Sequence, residues 1–488
     1  MKRSVLPALL AVLVWASCTP QPHGAVSRGN LPDIYPDYIG VTIPQSIAPL
    51  DFTLRGADAL SVRISAPGGE KLSSGGRDAT RINMRKWKKL LAAAVGDSLK
   101  VEVSGLLDGK WESFTPFGIF VSPDPIDYGL NYRLLEPGYE IYSHMGIYER
   151  DLSSFRQRAI LENTQFDGCV NCHAYNRGNP DSMSLHIRGS HGATLLKFGD
   201  QLKAYNTKTD STLGFCVYPY WHPSGRYIAY STNNTRQGFH VQKDKIIEVF
   251  DLDSDLQIYD VRKNELISAP QVKQPGVWES FPVFSADGRT LYYTAAVKVQ
   301  IPGELTSSHY NLMKVSFDPE TGAIGSDVEI LVNAAQMSKS VCFPRPSYDG
   351  RYLMYTLCDY GTFPIWHHES DLWLLDLETG ETRSLDGVNS PDTDSYHNWS
   401  SNSRWFVFSS RRDDGLFTRL YISHFDREGN ASKPFMLPQR NPRNYYEDLW
   451  RSYNVPEFVT GPVQFDRISA QKAINSPGRV PFGFRWSD

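Results

Sequence analysis

The sequence lacks an excess of charge of either sign. Its 488 residues include 50 lysines and arginines against 54 aspartates and glutamates, a net charge of −4 at pH 7. Proteins that bind nucleic acid usually present a basic surface, because contacts with the phosphate backbone dominate their affinity. The composition therefore argues against a nucleic-acid partner, and we expect none.

Several short catalytic motifs are also missing. The sequence contains no glycine-rich phosphate loop, no G-x-S-x-G nucleophile elbow and no H-E-x-x-H zinc-protease motif. After the N-terminal segment, no apolar run reaches the roughly 18 residues that a membrane-spanning helix needs. These absences give no support for the enzyme classes that such motifs identify, or for a transmembrane protein built of helices.

The N-terminus has the pattern of an export signal. A basic start, Met1 to Arg3, precedes an apolar run from Val5 to Trp15 and then Ala16-Ser17-Cys18. Small residues before a cysteine resemble a bacterial lipoprotein signal, in which Cys18 would be lipidated and become the mature N-terminus. Trp15 departs from that pattern, and ordinary cleavage that removes Cys18 is the alternative. We expect residues 1–18 to be the signal, and the mature protein to be a periplasmic lipoprotein anchored in the outer membrane.

Four later segments share a pattern around a tight turn. The shared turn residues are Gly225, Gly288, Gly350 and Ser403. Each is followed by an arginine, and five residues after it comes a tyrosine or phenylalanine; three of the four have a proline six residues before it. A repeat with a period of about 50–65 residues is typical of an array or a propeller.

A second predicted hairpin follows each of these turns, as at 371–376, so that two hairpins make one four-stranded blade. Residues 201–205 look like the second hairpin of one more blade, whose first hairpin should then lie near 170–190. Five blades are thus visible, and closure needs a sixth. We predict an all-β fold with a β-propeller over residues 166–470.

The flanking regions have weaker patterns. Residues 31–125 alternate as half-buried strands do and predict a small β-sandwich-like domain, with a short basic helix over about 84–95. Residues 126–165 are interpreted as a connector with a helix over 153–163, and 471–488 as a C-terminal tail.

The strongest chemical signal is Cys169-Val170-Asn171-Cys172-His173. C-x-x-C-H is the attachment motif of c-type haem. Two thiols three residues apart, expected on one turn, can form thioethers with the two vinyl groups of one porphyrin, and the next histidine supplies the proximal imidazole. Covalent attachment takes place outside the cytoplasm, in agreement with an export signal. We predict one covalent haem c held by Cys169, Cys172 and His173.

Three other interpretations of this motif stay open. A thioredoxin-like redox pair would need a βαβ context, which is missing here. A zinc site would need a fourth ligand besides Cys169, Cys172 and His173. A local disulfide between the two cysteines is the simplest alternative in an oxidising compartment.

The ligand on the other face of the iron is less well specified. Our order of candidates is Met183, then His186, then Met145, with His144 and His191 also near in sequence. Methionine raises the potential of a haem, histidine usually lowers it, and an open face would permit ligand or peroxide chemistry. Met183 would also suit a strand core, and His186 falls where other repeats have serine or threonine, which suits a structural hydrogen bond.

Three remaining features are weaker candidates. Cys342 and Cys358 lie eight residues either side of Gly350, which could bring them within disulfide reach across two strands, with two buried thiols as the alternative. Cys216 has no obvious partner. The His367-His368 loop and the 411–414 turn are interpreted as structural, with a binding role as the alternative.

The repeats over about 195–430 resemble the WD-like repeats of periplasmic TolB-type propellers. With Cys169 to His173, and with Met183, His186 and Arg188 as one block, the chain resembles exported TolB-type propellers carrying one C-x-x-C-H motif, which are frequent in Bacteroidetes. We expect a monohaem electron-transfer protein, with a redox partner or small-molecule ligand on the propeller face and the membrane reached through the lipid anchor. The alternatives are a scaffold with structural or sensory haem, and a haem enzyme with an open distal face.

Overall fold

The computed structural model describes residues 22, 24–136, 143–166, 168–239, 247–443 and 450–487. Cys18 and the expected signal therefore lie outside the described residues. In the part that is described, no helix is both long and apolar enough to cross a membrane.

The first domain spans residues 26–122. Its elements are β1 (Val26–Ser27), β2 (Ile34–Tyr35), β3 (Thr42–Pro44), β4 (Thr53–Leu54), β5 (Ala59–Ser65), β6 (Lys71–Gly76), α1 (Met84–Ala92), β7 (Ser98–Leu107), β8 (Lys110–Ser113) and β9 (Phe117–Ser122). In its seven-stranded sheet, β7 pairs on one side with β5 and on the other with β8 and β9, while β2 and β4 form a separate pair. The predicted helix is present as α1, and the Asn83 side chain caps it by accepting hydrogen bonds from two backbone N–H groups of its first turn.

The rest of the chain forms a six-bladed β-propeller, which confirms the predicted fold class. Blade 1 contains β10 (Gly129–Leu135), β11 (Gly146–Asp151), β12 (Gln157–Glu162) and the later strand β33 (Ser452–Val459). Blades 2 and 3 contain β13 (Cys169–Asn176), β14 (Asn179–Arg188), β15 (Ala193–Phe198), β16 (Gln201–Asn206), β17 (Cys216–Trp221), β18 (Tyr227–Phe239), β19 (Ile247–Asp260) and β20 (Glu265–Ser268). Blades 4 to 6 contain β21 (Val277–Phe284), β22 (Thr290–Val297), β23 (Asn311–Phe317), β24 (Ile324–Val332), β25 (Ser340–Pro346), β26 (Tyr352–Cys358), β27 (Asp371–Asp376), β28 (Thr382–Ser384), β29 (Asp394–Trp399), β30 (Trp405–Ser410), β31 (Arg419–His424) and β32 (Phe435–Met436).

Shorter elements complete the chain. The helix α2 (Arg467–Asn475) leads to β34 (Val480–Pro481) and β35 (Gly483–Trp486), which extend the outer edges of blades 2 and 3. Single 3₁₀ turns lie at Asn163–Gln165, Pro270–Val272, Leu305–Ser307, Ala334–Met337 and Pro364–Trp366.

Blade 1 closes the ring with strands from both ends of the propeller. β33 is its innermost strand and runs antiparallel to β10, so the C-terminal part of the chain completes a sheet begun near residue 129. The interpretation of residues 126–165 as a connector was therefore wrong: they supply three strands of a blade. The helix expected over 153–163 was also wrong, because β12 occupies Gln157–Glu162 as the outer edge of that sheet.

The innermost strand of each blade carries a β-bulge at the same place, where the register against the second strand shifts by one residue. In five blades the bulged residue has a φ between 47° and 51°; these are Tyr218, Phe281, Phe343, Tyr396 and Val455. The residue after it is the repeat's proline, or His397 in blade 6. Proline has no N–H to donate, so a bulge that interrupts the ladder is one of the few places in a sheet that accepts it.

The first domain packs directly on blade 6. Trp87 of the domain and Trp405 of the blade belong to one continuous apolar core. Polar contacts reinforce the junction, since the Trp405 indole donates to the Asp124 backbone oxygen at 3.3 Å, and His424 lies 2.7 Å from the Asp124 carboxylate. The propeller is thus held against a second folded unit on one side.

We expect a buried carboxyl group in blade 4 to make stability depend on pH. Glu279 is fully buried on β21, and burial raises the pKa of its carboxyl to about 8. Because this folded-state pKa lies above the unfolded value near 4.5, folding takes up a proton between these values, and stability falls as pH rises from about 4.5 to 8. We expect chemical denaturation to show this with Glu279→Gln. Between pH 5 and 8, its free energy of unfolding should rise relative to that of the wild type by up to about 1.4 kcal/mol per pH unit. A difference that stays constant with pH would contradict this assignment.

Candidate functional site

The C-x-x-C-H motif lies on the innermost strand of blade 2, over the repeated bulge. Val170 pairs with Ile187 and His173 with Leu185, so Asn171 and Cys172 together lie opposite a single residue of β14. Cys172 thus takes the position that proline has in most other blades. The thiols were expected on one turn; the structure places them instead on an extended, bulged strand.

His173 is buried with neither ring nitrogen in a well-formed hydrogen bond. The residue is 4% exposed, and neither ring nitrogen has a hydrogen-bond partner of good geometry. The Glu457 carboxylate on β33 lies 3.8 Å from Nε2, beyond hydrogen-bond distance. Burial, assisted by the nearby Arg133 guanidinium and opposed by a backbone contact with Asn131, lowers the pKa of His173 to about 3, so the imidazole is neutral at pH 7. A neutral, unpartnered imidazole is the form that can donate a lone pair to a metal.

The two thiols open onto different cavities. Cys172 and His173 line a cavity of about 260 Å³ near the propeller axis. Cys169 lines a more open cavity on the other side, together with Phe166 and Gly168, and burial raises the pKa of its thiol. Arg188 lines both cavities. The motif therefore spans the wall between two spaces.

The sequence candidates for the second axial position lie in different surroundings. Met183 is 1% exposed within the apolar core of blade 2, on the same face as His173 by strand register. His186 lies on the opposite face, where its Nδ1 is 3.2 Å from the Thr194 hydroxyl. Met145 and His144 line a cavity of about 370 Å³ that shares Arg133 with the cavity at Cys172.

A ring of aromatic side chains lies at the axis beside these cavities. Its members are the bulge residues of blades 3 to 6, namely Tyr218, Phe281, Phe343 and Tyr396, with neighbouring ring centroids 4.2–4.7 Å apart. We call this set the aromatic floor. Sequence reasoning missed it, although the aromatic residue before the repeat's proline was the available signal.

A long hairpin of blade 3 lies over the axis. Thr235, Arg236 and Gln237 of β18 and Val249 of β19 line the cavity at Cys172, and Phe239 and Ile247 line the cavity at Met145. These two strands are longer than their counterparts in the other blades.

The His367-His368 loop fixes this hairpin. His367 is 1% exposed, its Nε2 lies 3.2 Å from Glu248 of β19, and the Tyr360 hydroxyl donates to the same carboxylate at 2.9 Å. Although burial lowers the pKa of His367, contacts with Cys358, Glu248 and Glu369 raise it to about 11. The loop thus ties blade 5 to the hairpin of blade 3.

The 411–414 turn is more buried than its charge run suggested. Arg411 is 3% exposed, and its guanidinium stacks on Trp366 at 3.2 Å from the ring centroid. Arg412 pairs with Asp394 at 2.7 Å. Both Arg411 and Trp366 line the cavity at Met145, so the start of this turn belongs to the axial region.

Cys342 and Cys358 are neighbours in blade 5. Their sulfur atoms lie 3.9 Å apart, diagonally across β25 and β26, and both residues are buried. The two residues are free thiols here, as is Cys216, which is buried beside Thr207.

We expect this pair to form a disulfide when the chain is exported to an oxidising periplasm. The two sulfur atoms are 3.9 Å apart and a small movement would bring them to the S–S bond length of about 2.05 Å. Peptide mass spectrometry without reduction should find Cys342 joined to Cys358, with Cys216 free as the internal control. Reduction should then lower the free energy of unfolding by about 3 kcal/mol, as for a loop of about 15 residues. Free thiols at both positions in the exported protein would refute the pairing.

Among the described residues, no group of three or more His, Cys, Asp and Glu side chains has the arrangement of a metal site. The motif itself contributes a single histidine and two thiols.

Comparison with known proteins gives a similarity of fold alone. No protein-family model matches the chain, and no curated protein does. Solved structures similar to it include an oligogalacturonate lyase in complex with manganese (13% identity, 62% of this chain and 72% of that chain, TM-score 0.35). Others are a DUF4784 family protein from Bacteroides caccae (9%, 72% and 94%, 0.32) and dipeptidyl peptidase 4 from Porphyromonas gingivalis (10%, 70% and 58%, 0.30). At these identities and TM-scores the matches assign no activity, substrate or metal to this chain.

Proposed function

We propose that this protein is an exported monohaem c-type cytochrome of the TolB-like propeller kind, in which the propeller carries the haem beside its axis and acts in electron transfer. The observation that carries the proposal is His173. Its neutral imidazole follows Cys172 directly, is buried without a well-formed hydrogen bond, and belongs to a residue that lines a cavity. An unpartnered buried polar group costs free energy, roughly 1–3 kcal/mol, and a ligand that uses its lone pair would offset that cost.

By residue type the motif matches a covalent haem, but its two thiols open onto different cavities and the His173 side chain is fully buried, so one haem would need a different packing of blade 2. Cys169 and Cys172 would form the two thioethers, and His173 would be the proximal ligand. When bound, the haem would supply one-electron chemistry. Because Cys169 is only 6% exposed in the folded blade, we expect attachment to precede the packing of blade 2.

Burial of the motif has a further consequence for electron transfer. The innermost strand keeps water away from His173, and the nearby Arg133 guanidinium favours the more electron-rich, reduced state of a neighbouring redox group. Two thioethers would be candidate second ligands of a haem: Met145, which lines the adjoining cavity, and Met183, which lies in the apolar core of blade 2.

The location follows from the N-terminus. We propose lipidation at Cys18, anchorage in the outer membrane facing the periplasm, and a redox partner that docks on a propeller face. Scaffold and haem-enzyme roles remain the alternatives; a six-coordinate iron favours electron transfer, whereas an iron that binds CO or peroxide favours an enzyme.

The direct test is a pyridine haemochrome spectrum. The chain is expressed with its signal in a host that matures c-type cytochromes, then denatured and extracted with acid acetone. We expect a c-type α-band that stays with the wild-type polypeptide and with Cys216→Ser, which removes a buried thiol outside the motif. The double variant Cys169→Ser/Cys172→Ser should retain no haem.

The host's own c-type cytochromes serve as the positive control for maturation. If they are loaded while the wild-type chain retains no haem, the proposal is wrong. Cys169 and Cys172 would then be interpreted as a disulfide or a thiol pair.

A further inference from the structure

Four arginines from four blades meet at the axial cavity. They are Arg133 of blade 1, Arg188 of blade 2, Arg236 of blade 3 and Arg345 of blade 5. We call them the arginine cluster. Among the described residues, none of the four forms an ion pair with a carboxylate, and Arg133 has a buried Nε without a hydrogen-bond partner. Arg133 donates to the Asn171 side chain and Arg345 to the Pro344 backbone oxygen. Four guanidiniums without a carboxylate partner around one concave space still attract anions.

The carboxyl groups near the cavity are engaged elsewhere. Asp251 accepts hydrogen bonds from the side chains of Asn233 and Thr235, at 2.6 and 2.7 Å. Glu457 accepts from the Tyr175 backbone N–H at 3.4 Å and faces His173. Neither acid forms an ion pair with a guanidinium of the cluster, although Arg345 lies near enough to Glu457, and Arg188 to Asp251, to lower the pKa of that carboxyl. Burial nevertheless raises the pKa of Glu457 to about 8, which leaves it mostly uncharged at pH 7.

Part of the remaining wall is aromatic, alongside polar residues such as Asn171, Thr235 and Gln237. Three rings of the aromatic floor, Tyr218, Phe343 and Tyr396, line it together with Phe363. The adjoining cavity continues this character with Ile365 and Trp366. Aromatic walls favour a flat apolar group, while the guanidiniums, with their forked donors, match a carboxylate.

We propose that this axial cavity binds a carboxylate joined to a flat apolar body, with the arginine cluster holding the carboxylate. Two sources share this chemistry: the propionate groups of a haem attached at the motif, or a separate small aromatic or polycyclic acid. The inference does not rest on the haem, because the arginines and the aromatic floor are present in the chain itself.

The probe is 2-naphthoate, compared by isothermal titration calorimetry with the neutral 2-naphthamide. In the haem-free protein, made as Cys169→Ser/Cys172→Ser, we expect the acid to bind at least about tenfold more tightly than the amide, since only the acid can accept charge-assisted hydrogen bonds. Its affinity should also fall as salt is raised.

Two arginine variants distinguish binding at the cluster from a general effect of the protein's positive charge. Arg188→Met/Arg236→Met alters two exposed side chains of the cluster that pose little risk to folding, and should remove the preference for the acid. Arg289→Met, an exposed arginine on the blade 4 turn, should leave it unchanged. The proposal is overturned if the acid does not bind, binds no better than the amide, or binds equally well to the double arginine variant.

The haem-bearing wild type shows whether the carboxylate that the cluster holds is a haem propionate or belongs to a separate ligand. Binding of 2-naphthoate to the haem-free chain but not to the haem-bearing chain supports occupation by haem propionates. Binding to both supports a separate ligand. If no preparation retains haem, the proposed function fails, yet the comparison of acid and amide on the haem-free chain still tests the site.

Discussion

A chain that ends at Arg451 is expected to lose its cooperative unfolding transition. This truncation removes β33, the innermost strand of blade 1, and leaves β10 as an unpaired edge facing the axis. It also removes the buried side chains of Tyr453, Phe458 and Val459. Each contributes roughly 2 kcal/mol of apolar burial, and the backbone ladder adds to this, so the sum rivals the 5–15 kcal/mol that stabilises a typical domain.

The truncation should also affect the neighbouring blades. The Ser409 and Thr418 hydroxyls of blade 6 both donate to the Tyr453 backbone oxygen, at 3.0 and 2.7 Å. Without their acceptor these two buried hydroxyls would be left unpaired, at a cost of about 1–3 kcal/mol each. We therefore expect circular-dichroism melting and calorimetry to show a broad transition, or none.

A second truncation after Asn475 provides the control. It removes β34 and β35, which pair only with the outer edges of blades 2 and 3. We expect a cooperative transition with a Tm lower by several degrees, because Phe482, stacked on Tyr259, is lost while the ring stays closed. If the chain ending at Arg451 melts as this control does, closure by β33 is not what holds the propeller together.

Local turn chemistry explains why most of the propeller could be predicted from the sequence. Gly225, Gly288 and Gly350 have positive φ values of 70–81°, and Ser403 takes the same left-handed conformation at 58°. A tight turn that needs this conformation selects glycine, and it leaves a signature that survives even where serine replaces it. The hairpins on either side then follow from alternation.

Blade 1 could not be predicted in this way. Its strand β33 lies at the far end of the chain from β10, and the segment 129–162 lacks the turn signature that marked the other blades. Such a pairing depends on the closure of the whole ring, which no local pattern encodes. Residues 126–165 therefore looked like a connector.

The candidate site also has one part that the sequence predicts and one part that it does not. The motif from Cys169 to His173 was readable because its chemistry needs a fixed spacing. The arginine cluster was not, since it collects one arginine from each of four blades, and single arginines at scattered positions look like surface residues. Only the ring geometry brings them to one cavity.

His173→Leu is expected to stabilise the haem-free chain and to remove the histidine ligand from the haem-bearing chain. In the haem-free chain it should raise the free energy of unfolding by about 1–2 kcal/mol, because it replaces an unpartnered buried imidazole with an apolar side chain of similar size. In the haem-bearing chain it should remove the proximal imidazole, so that the absorption and electron paramagnetic resonance spectra lose the signature of histidine ligation.

His186→Leu is the matched control, because the two histidines differ mainly in their partners. Both are buried, and burial lowers the pKa of each imidazole to about 3. His186, however, lies 3.2 Å from the Thr194 hydroxyl, so its replacement leaves that hydroxyl unpaired and should cost the haem-free chain about 1 kcal/mol. In the haem-bearing chain it should preserve the proximal histidine signature. If His173→Leu instead destabilises the haem-free chain as His186→Leu does, then His173 has a structural partner and the observation that carries the haem proposal is lost.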